Sequence, residues 1–285
     1  MATTESGMLP GTTTHAIRIE ASRGWFELSL REVWEYWQLL YYLVWRGVKV
    51  RYKQTIIGAA WAVIQPLMTM LIFTVIFGNL AKIPSDGLPY PVFAFTALLP
   101  WSYFSQAIQR SGTSLVSDAN LVRKVYFPRL ILPLAAVIAP LIDFCISFLV
   151  LLLMMVWYGI APTWRMATMP LFMLLGLMTA LAAGLWLSAL NARYRDVGHA
   201  IPFLTQFWMY ATPIAYPLSL VPEKWRTIYG LNPMVGVVEG FRWSFLGKES
   251  PVFEVIAASV VVVLVLLIGG IVFFKRGEDT FADVL

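Results

Sequence analysis

The sequence predicts an all-α integral membrane protein: six transmembrane helices, an N-terminal interfacial amphipathic helix, and a re-entrant helical hairpin before the last span. Composition is the first reason. Of 285 residues, 59% are hydrophobic and 13% charged, whereas a soluble domain carries roughly 45–50% apolar and about 25% charged residues. Patterning is the second: several apolar runs reach the ~20 residues that cross a hydrocarbon core about 30 Å thick. A chain this short cannot hide so much apolar surface from water. Lipid removes the need.

Six runs qualify as spans, at residues 59–77, 90–108, 130–158, 168–190, 201–220 and 255–274. The third is long enough to tilt or to project from the bilayer, and Pro213 and Pro217 interrupt the fifth. Of the 21 Lys and Arg residues, Lys82, Arg165, Lys224, Arg226, Arg242 and Lys248 fall on one side of these spans and all the others on the opposite side. Because basic loops stay in the cytoplasm, both termini are expected there. Residues 1–24, rich in Thr, Gly and Ser, contain no apolar stretch that would make a cleavable signal peptide, and their composition predicts disorder. The transmembrane domain is therefore placed at residues 25–285.

Before the first span, Val33, Trp34, Trp37, Leu40, Tyr41, Val44 and Trp45 recur at helical spacing from Leu30 onward, opposite Arg31, Glu35, Gln38, Tyr42 and Arg46. Ser29 and Glu32 have the spacing of a capping box at its start. A Trp-rich face opposed by charge suits a helix lying in the membrane surface. An ordinary soluble amphipathic helix is the alternative, but Arg46, Lys49, Arg51 and Lys53 lead directly into a span. Residues 219–253 are too few for two spans yet hold short apolar pieces rich in Pro and Gly. That pattern fits a hairpin dipping in from the outer face better than a loop lying flat on it. Within it, Glu239 and Arg242 stand three apart and can pair on a helix beyond Pro233.

Function classes narrow by elimination. The net charge of +5 and pI near 9.3 do not point to nucleic acid, since the cations flank apolar runs where lipid head groups attract them. One cysteine, Cys145, permits no intrachain disulfide, and His15 and His199 are too isolated for a metal cluster. The nearest approach to a nucleotide-binding loop, Gly247-Lys248-Glu249, lacks the Ser or Thr after lysine and the spaced glycine before it. Any ATP must be hydrolysed on another chain. No Ser/His/Asp set or paired carboxylates stand at catalytic spacing, which argues against a membrane-embedded glycosyltransferase. An ion-coupled transporter would carry several intramembrane charges, whereas Asp143 stands out alone deep in a predicted span. A carboxylate there needs a partner or a proton, and a polar contact at a dimer interface is favoured over a direct transport role.

The connection between the second and third spans, from Ser117 to Arg129, reads as a short helix capped by Ser117 or Asp118 and stopped near Pro128. Leu121, Val122 and Val125 are its apolar knobs; docking into a partner's groove is favoured over a solvated linker. Six stretches then make the chain recognisable: RYKQTIIGAAWAVIQPL from Arg51, FGNLAKIPSDGLPYPVFAF from Phe77, LLPWSYF from Leu98, SLVSDANLVRKVYFPRLILPLA from Ser114, LNARYRDVGHAIPFLTQFWMYATPIAYP from Leu190, and LNPMVGVVEGFRW from Leu231. In this order they resemble the permease family of ABC exporters for O-antigen, capsule and teichoic-acid polysaccharides, the type-2 fold, from roughly Leu28 to the C-terminus. Residues 1–24 and Asp118, where another small polar residue is expected, depart from that pattern.

The resemblance implies a homodimer in the bacterial inner membrane, joined to two copies of a separate ATP-binding subunit. That subunit would hold ATP and magnesium, this chain itself needing no cofactor. Asp118, Asn120, Arg123, Lys124 and Tyr126 would couple to it. The substrate would be a polysaccharide, O-antigen foremost, on an undecaprenyl diphosphate carrier. It would pass between the two subunits and be closed off outside by the re-entrant helices. Trp61, Phe73, Phe207, Trp208, Tyr210 and Tyr216 are the candidate sugar path, because aromatic faces attract pyranose C–H faces and tolerate sliding. Aromatic residues also anchor spans and fill cores, so each carries both readings. Arg46, Lys49, Arg51 and Lys53 could receive the diphosphate, and the positive-inside bias explains them as well.

Overall fold

The computed structural model describes residues 34–53, 60–247 and 253–284, and among them all regular structure is helical. The expected disorder of residues 1–24, the Ser29–Glu32 box with Leu30, Arg31 and Val33, and Lys248 lie outside the described residues. Four helical stretches, Ala60–Leu80, Ile131–Trp157, Trp164–Arg193 and Phe253–Glu278, are long and apolar enough to cross a membrane.

The order begins with α1 (Trp37–Tyr52) and α2 (Ala60–Phe73), the latter running on as a π-helical stretch over Thr74–Leu80. After a turn in which Lys82 and Asp86 take positive φ comes α3 (Tyr90–Ser117). The short α4 (Ala119–Lys124) leads to α5 (Ile131–Ile138) and α6 (Leu141–Trp157). Then follow α7 (Met169–Arg193), α8 (Asp196–Tyr210), α9 (Glu223–Gly230), α10 (Pro233–Leu246) and α11 (Phe253–Val284). At one end lie α1, α4 and the C-terminal turns of α11, here termed the basic end. At the other, the far end, lie α9 and the N-terminus of α10.

Helix α3 is the axis of the bundle. It packs most extensively on α7 and also touches α2, α5, α6, α8 and α10. From Val92 to Leu99 every residue is buried, because protein covers it on all sides. That explains why α3 overruns the predicted span, which stopped at residue 108: Ser111 and Ser114 face other helices, not lipid. The third predicted span is two helices, because Pro140 lacks the N–H that continues a helix. The Tyr103 hydroxyl donates to the Val137 carbonyl beside this break at 3.1 Å. Helix α8 starts before the predicted fifth span and ends at Tyr210, three residues before Pro213. Pro202 lies inside it.

Around α10 the packing depends on small residues. Its buried Gly236 and Gly240 let α11 and α7 approach: a Cβ on Gly240 would meet the Phe172 ring at 2.1 Å. Gly247 ends α10 in the left-handed region, at φ 65°, where a side chain is strained. Gly240→Val is therefore expected to destabilise by about 1–3 kcal/mol, the usual cost of overpacking. Thermal unfolding of the detergent-solubilised protein would show this as a lowered midpoint, and an unchanged midpoint would contradict the packing described.

Candidate functional site

Helix α1 has two apolar stripes. Leu43 and Val48 are buried, and Leu43 joins Ile131, Leu132 and Ala135 of α5 in a second hydrophobic cluster. Trp34, Trp37, Tyr41 and Trp45 form the other stripe, which is exposed. The predicted single face thus divides: Leu40 and Val44 side with the cluster, while the Trp/Tyr stripe looks away from the bundle.

The basic residues at the end of α1 separate in the same way. Arg46 donates to Asp118 at 2.6 Å. Asp118, the residue before α4, makes no side-chain cap there, since its carboxylate is turned toward α1. Arg51 pairs with Asp143 and also donates to Gln106 of α3. Asp143, 3% exposed in the first turn of α6, further accepts from the Tyr52 hydroxyl. Burial, then the bond to Asp143, push the Tyr52 hydroxyl up to about 12, so it remains a donor at any physiological pH. Lys49 and Lys53 stay exposed, Lys49 lying 5.4 Å over the Trp45 ring. Of the four candidate diphosphate cations, two are therefore committed to carboxylates of this chain and two are open.

Beyond Asp118, Val122 and Phe127 turn into the same cluster as Leu43, along with Phe274 and Phe281 of α11. The Arg129 backbone N–H donates to Glu278 of α11 at 3.0 Å. These contacts fix the segment and leave Asn120, Arg123, Lys124, Val125 and Tyr126 exposed, Tyr126 at 73%. A rigidly seated, outward-facing group of this kind can transmit a push.

The candidate aromatics fall into two sets. Phe73 is buried edge-on against Phe77, and Trp208 packs on Phe104 while its indole N–H donates to Asn232. The Tyr216 hydroxyl meets that of Tyr229 at 3.4 Å. Trp61, Phe207 and Tyr210, by contrast, are exposed, at 51%, 69% and 61%. Phe203, one turn below Phe207 and also exposed, extends their row along α8. The sequence reading passed over Phe203, although its helical spacing from Phe207 could have found it.

At the far end, Glu239 pairs with Arg242 at 2.9 Å as the spacing predicted. Arg242 is buried, donates to the Ile214 and Tyr216 carbonyls, and lies 3.8 Å over the Phe93 ring of α3. It thus binds α10, the turn after α8, and α3 together. Asn232, which the sequence reading passed over, caps α10 by accepting from Met234, and donates to the Ala211 carbonyl and the Thr212 hydroxyl. Pro233 follows it, buried at the first helical position. Among the described residues no three His, Cys, Asp or Glu side chains gather as a metal site.

The sequence profile described as ABC-2 type transporter, of its membrane component, matches residues 38–246, from α1 through α10. The chain belongs to the ABC-2 transporter membrane family. Among similar proteins is the O-antigen export system permease protein RfbA of Myxococcus xanthus, 34% identical over 258 residues, covering 89% of this chain and 98% of that one. RfbA of Klebsiella pneumoniae is 27% identical, covering 84% of this chain and 92% of its own. The polysialic acid transport protein KpsM of Escherichia coli is 25% identical over 68% of this chain and 76% of its own. The family places this chain among membrane permeases of ABC transporters and implies a partner ATP-binding subunit.

Within this permease, the Arg51–Asp143 pair is the buried ionic link between α1 and the bundle. Asp143→Ala would strand Arg51 and cost on the order of 2–4 kcal/mol, as loss of one partner of a buried pair does. Replacing Arg51 and Asp143 together should cost clearly less than the two single changes added. Unfolding of the four proteins in one detergent measures the coupling, and strict additivity would mean the pair contributes nothing.

Proposed function

We propose that this chain is the channel-forming permease of an ATP-driven exporter that carries undecaprenyl-diphosphate-linked polysaccharide, O-antigen foremost, across the bacterial inner membrane. It works as a homodimer of six-span subunits with both termini in the cytoplasm, bound to two copies of a separate ATPase. The observation that carries the reading is the alignment over 98% of the length of a relative named as an O-antigen export permease. A capsule substrate is the second reading, favoured by the similarity to KpsM.

Residue chemistry supports each part. Besides the four apolar stretches, α3 at 28 residues is long enough to span, and its Thr96, Ser111 and Ser114 are covered by protein. Helix α8, 15 residues, reaches about 22 Å and would complete a crossing with the turn through Pro213 and Pro217. The α9–α10 pair, its short helices held by Arg242 and Asn232, would be the re-entrant outer closure. The exposed Trp/Tyr stripe of α1 suits the head-group layer. Asn120, Arg123, Lys124 and Tyr126 would meet the ATPase, with Asp118 tying their motion to α1 through Arg46. Exposed Trp61, Phe207 and Tyr210 would form the sugar path between subunits, where flat, sequence-tolerant contacts suit a long and varied polymer.

Reconstitution with the ATPase tests this. Lipid-linked polysaccharide should move across proteoliposomes only with ATP and both subunits. Movement by this chain alone would overturn the reading. Replacing Arg123 and Tyr126 with Ala should lower substrate-stimulated ATP turnover at least tenfold while membrane insertion persists. Phe207→Ala should slow export severalfold and Phe207→Tyr should not, as transport rates at fixed ATPase content would show.

A further inference from the structure

Arg110 stands on α3 without a partner among the described residues. Its guanidinium is partly buried and makes no hydrogen bond and no ion pair with any described residue. Arg46, Arg51 and Arg242 all meet carboxylates. Arg51 and Asp143 lie near enough to act on Arg110 electrostatically. Since Arg51 already balances Asp143, one positive charge is left over at this spot. A half-buried cation with no acceptor among the described residues is placed to meet an anion that arrives from elsewhere.

The space for one is present. Gln109, Arg110 and Thr113 of α3 and Gly198, Ile201 and Pro202 of α8 line an open cleft of about 250 Å³. Pro202 has no N–H, so the Gly198 carbonyl four residues earlier loses its helical donor and is free for a hydroxyl. Arg110 precedes the end of α3 at Ser117 by seven residues, which is about 10 Å along the axis from the basic end. Phe203, Phe207 and Tyr210 rise along α8 from the cleft.

We infer that this cleft receives the diphosphate head group of a polyprenyl-linked substrate, with Arg110 as its recognising cation. A guanidinium fork matches adjacent phosphate oxygens, and a diphosphate carries more charge toward it than the single charge of a phospholipid diester. The Gly198 carbonyl beside it suits a hydroxyl of the first sugar. The inference rests on the transport reading above, and it shifts the head-group site from the end of α1 to the α3–α8 cleft.

Binding without ATP separates the two. The full-length chain with its ATPase, in phosphatidylcholine nanodiscs, would be titrated with undecaprenyl diphosphate, and in parallel arms with phosphatidylglycerol and with inorganic pyrophosphate. Undecaprenyl diphosphate should bind at least tenfold tighter than either of the others. Arg110→Ala should weaken it at least tenfold, and Arg110→Lys less. Pro202→Glu places a carboxylate at an exposed helix position opposite Arg110, where folding is not endangered. It should abolish binding, while the neutral Pro202→Gln, which returns an N–H to the Gly198 carbonyl but adds no charge, should weaken it clearly less. Unchanged affinity in Arg110→Ala and Pro202→Glu would overturn the inference and leave the transport reading standing. Equal binding of phosphatidylglycerol or pyrophosphate would overturn it too. No binding by the unaltered complex would sink both.

Discussion

A carboxylate inside an apolar bundle has to be neutralised by a neighbour, and the position of Asp143 organises everything at the basic end. It sits in the first turn of α6, directly after the break at Pro140, where the helix start also favours negative charge. Its partners, Arg51 and Tyr52, come from the last turn of α1, so the cost of the buried charge is offset only when α1 docks. Docking then presents the Trp/Tyr stripe outward. A second anchor, Arg46 to Asp118, ties the middle of α1 to the start of α4. Helix α1 is thus a strut between α4 and the kink of α5–α6, joined to α4 by a partly exposed ion pair.

Local patterns were legible in the sequence, and distant pairings were not. The apolar runs found the helices, and the Trp periodicity found α1. The spacing of Glu239 and Arg242 sufficed because i,i+3 neighbours meet on any helix. Arg51 and Asp143 are far apart in the chain, and nothing local in either points to the other. Helix ends were misjudged for a related reason. The hydropathy of the second run falls at Gln109, Arg110 and Ser111, yet α3 continues to Ser117 because α7 and α8 cover it. Polarity marks the edge of lipid contact, which is not the edge of a helix.

The aromatic residues show the same division between type and direction. Composition marked them as a possible sugar path, but orientation sorts them. Trp208 uses its indole N–H on Asn232 and its ring face on Phe104, so it is a fixture of the far end. Phe207, one position earlier and turned by about 100°, points away from the same packing and is exposed. Asn232 escaped notice because one amide in a loop carries no periodic signal, although it joins α8, the following turn and α10.

The two ends of the bundle differ in how their polar groups are satisfied, and that difference bears on how a conduit could work. At the far end, Arg242 and Asn232 are held by carbonyls, a carboxylate and an aromatic face, although the buried Arg242 Nε has no acceptor among the described residues. Moving α9 or α10 would break several of these at once in a low-dielectric place, where each lost bond is costly. At the basic end the Arg46–Asp118 pair is partly exposed and can break and reform with water as an alternative partner. A mechanical input is therefore absorbed first at the basic end, through α4 and α1, and reaches the far end only as a shift of whole helices. The α9–α10 pair would then move as a unit when α3, which holds it through Phe93 and Arg242, is displaced.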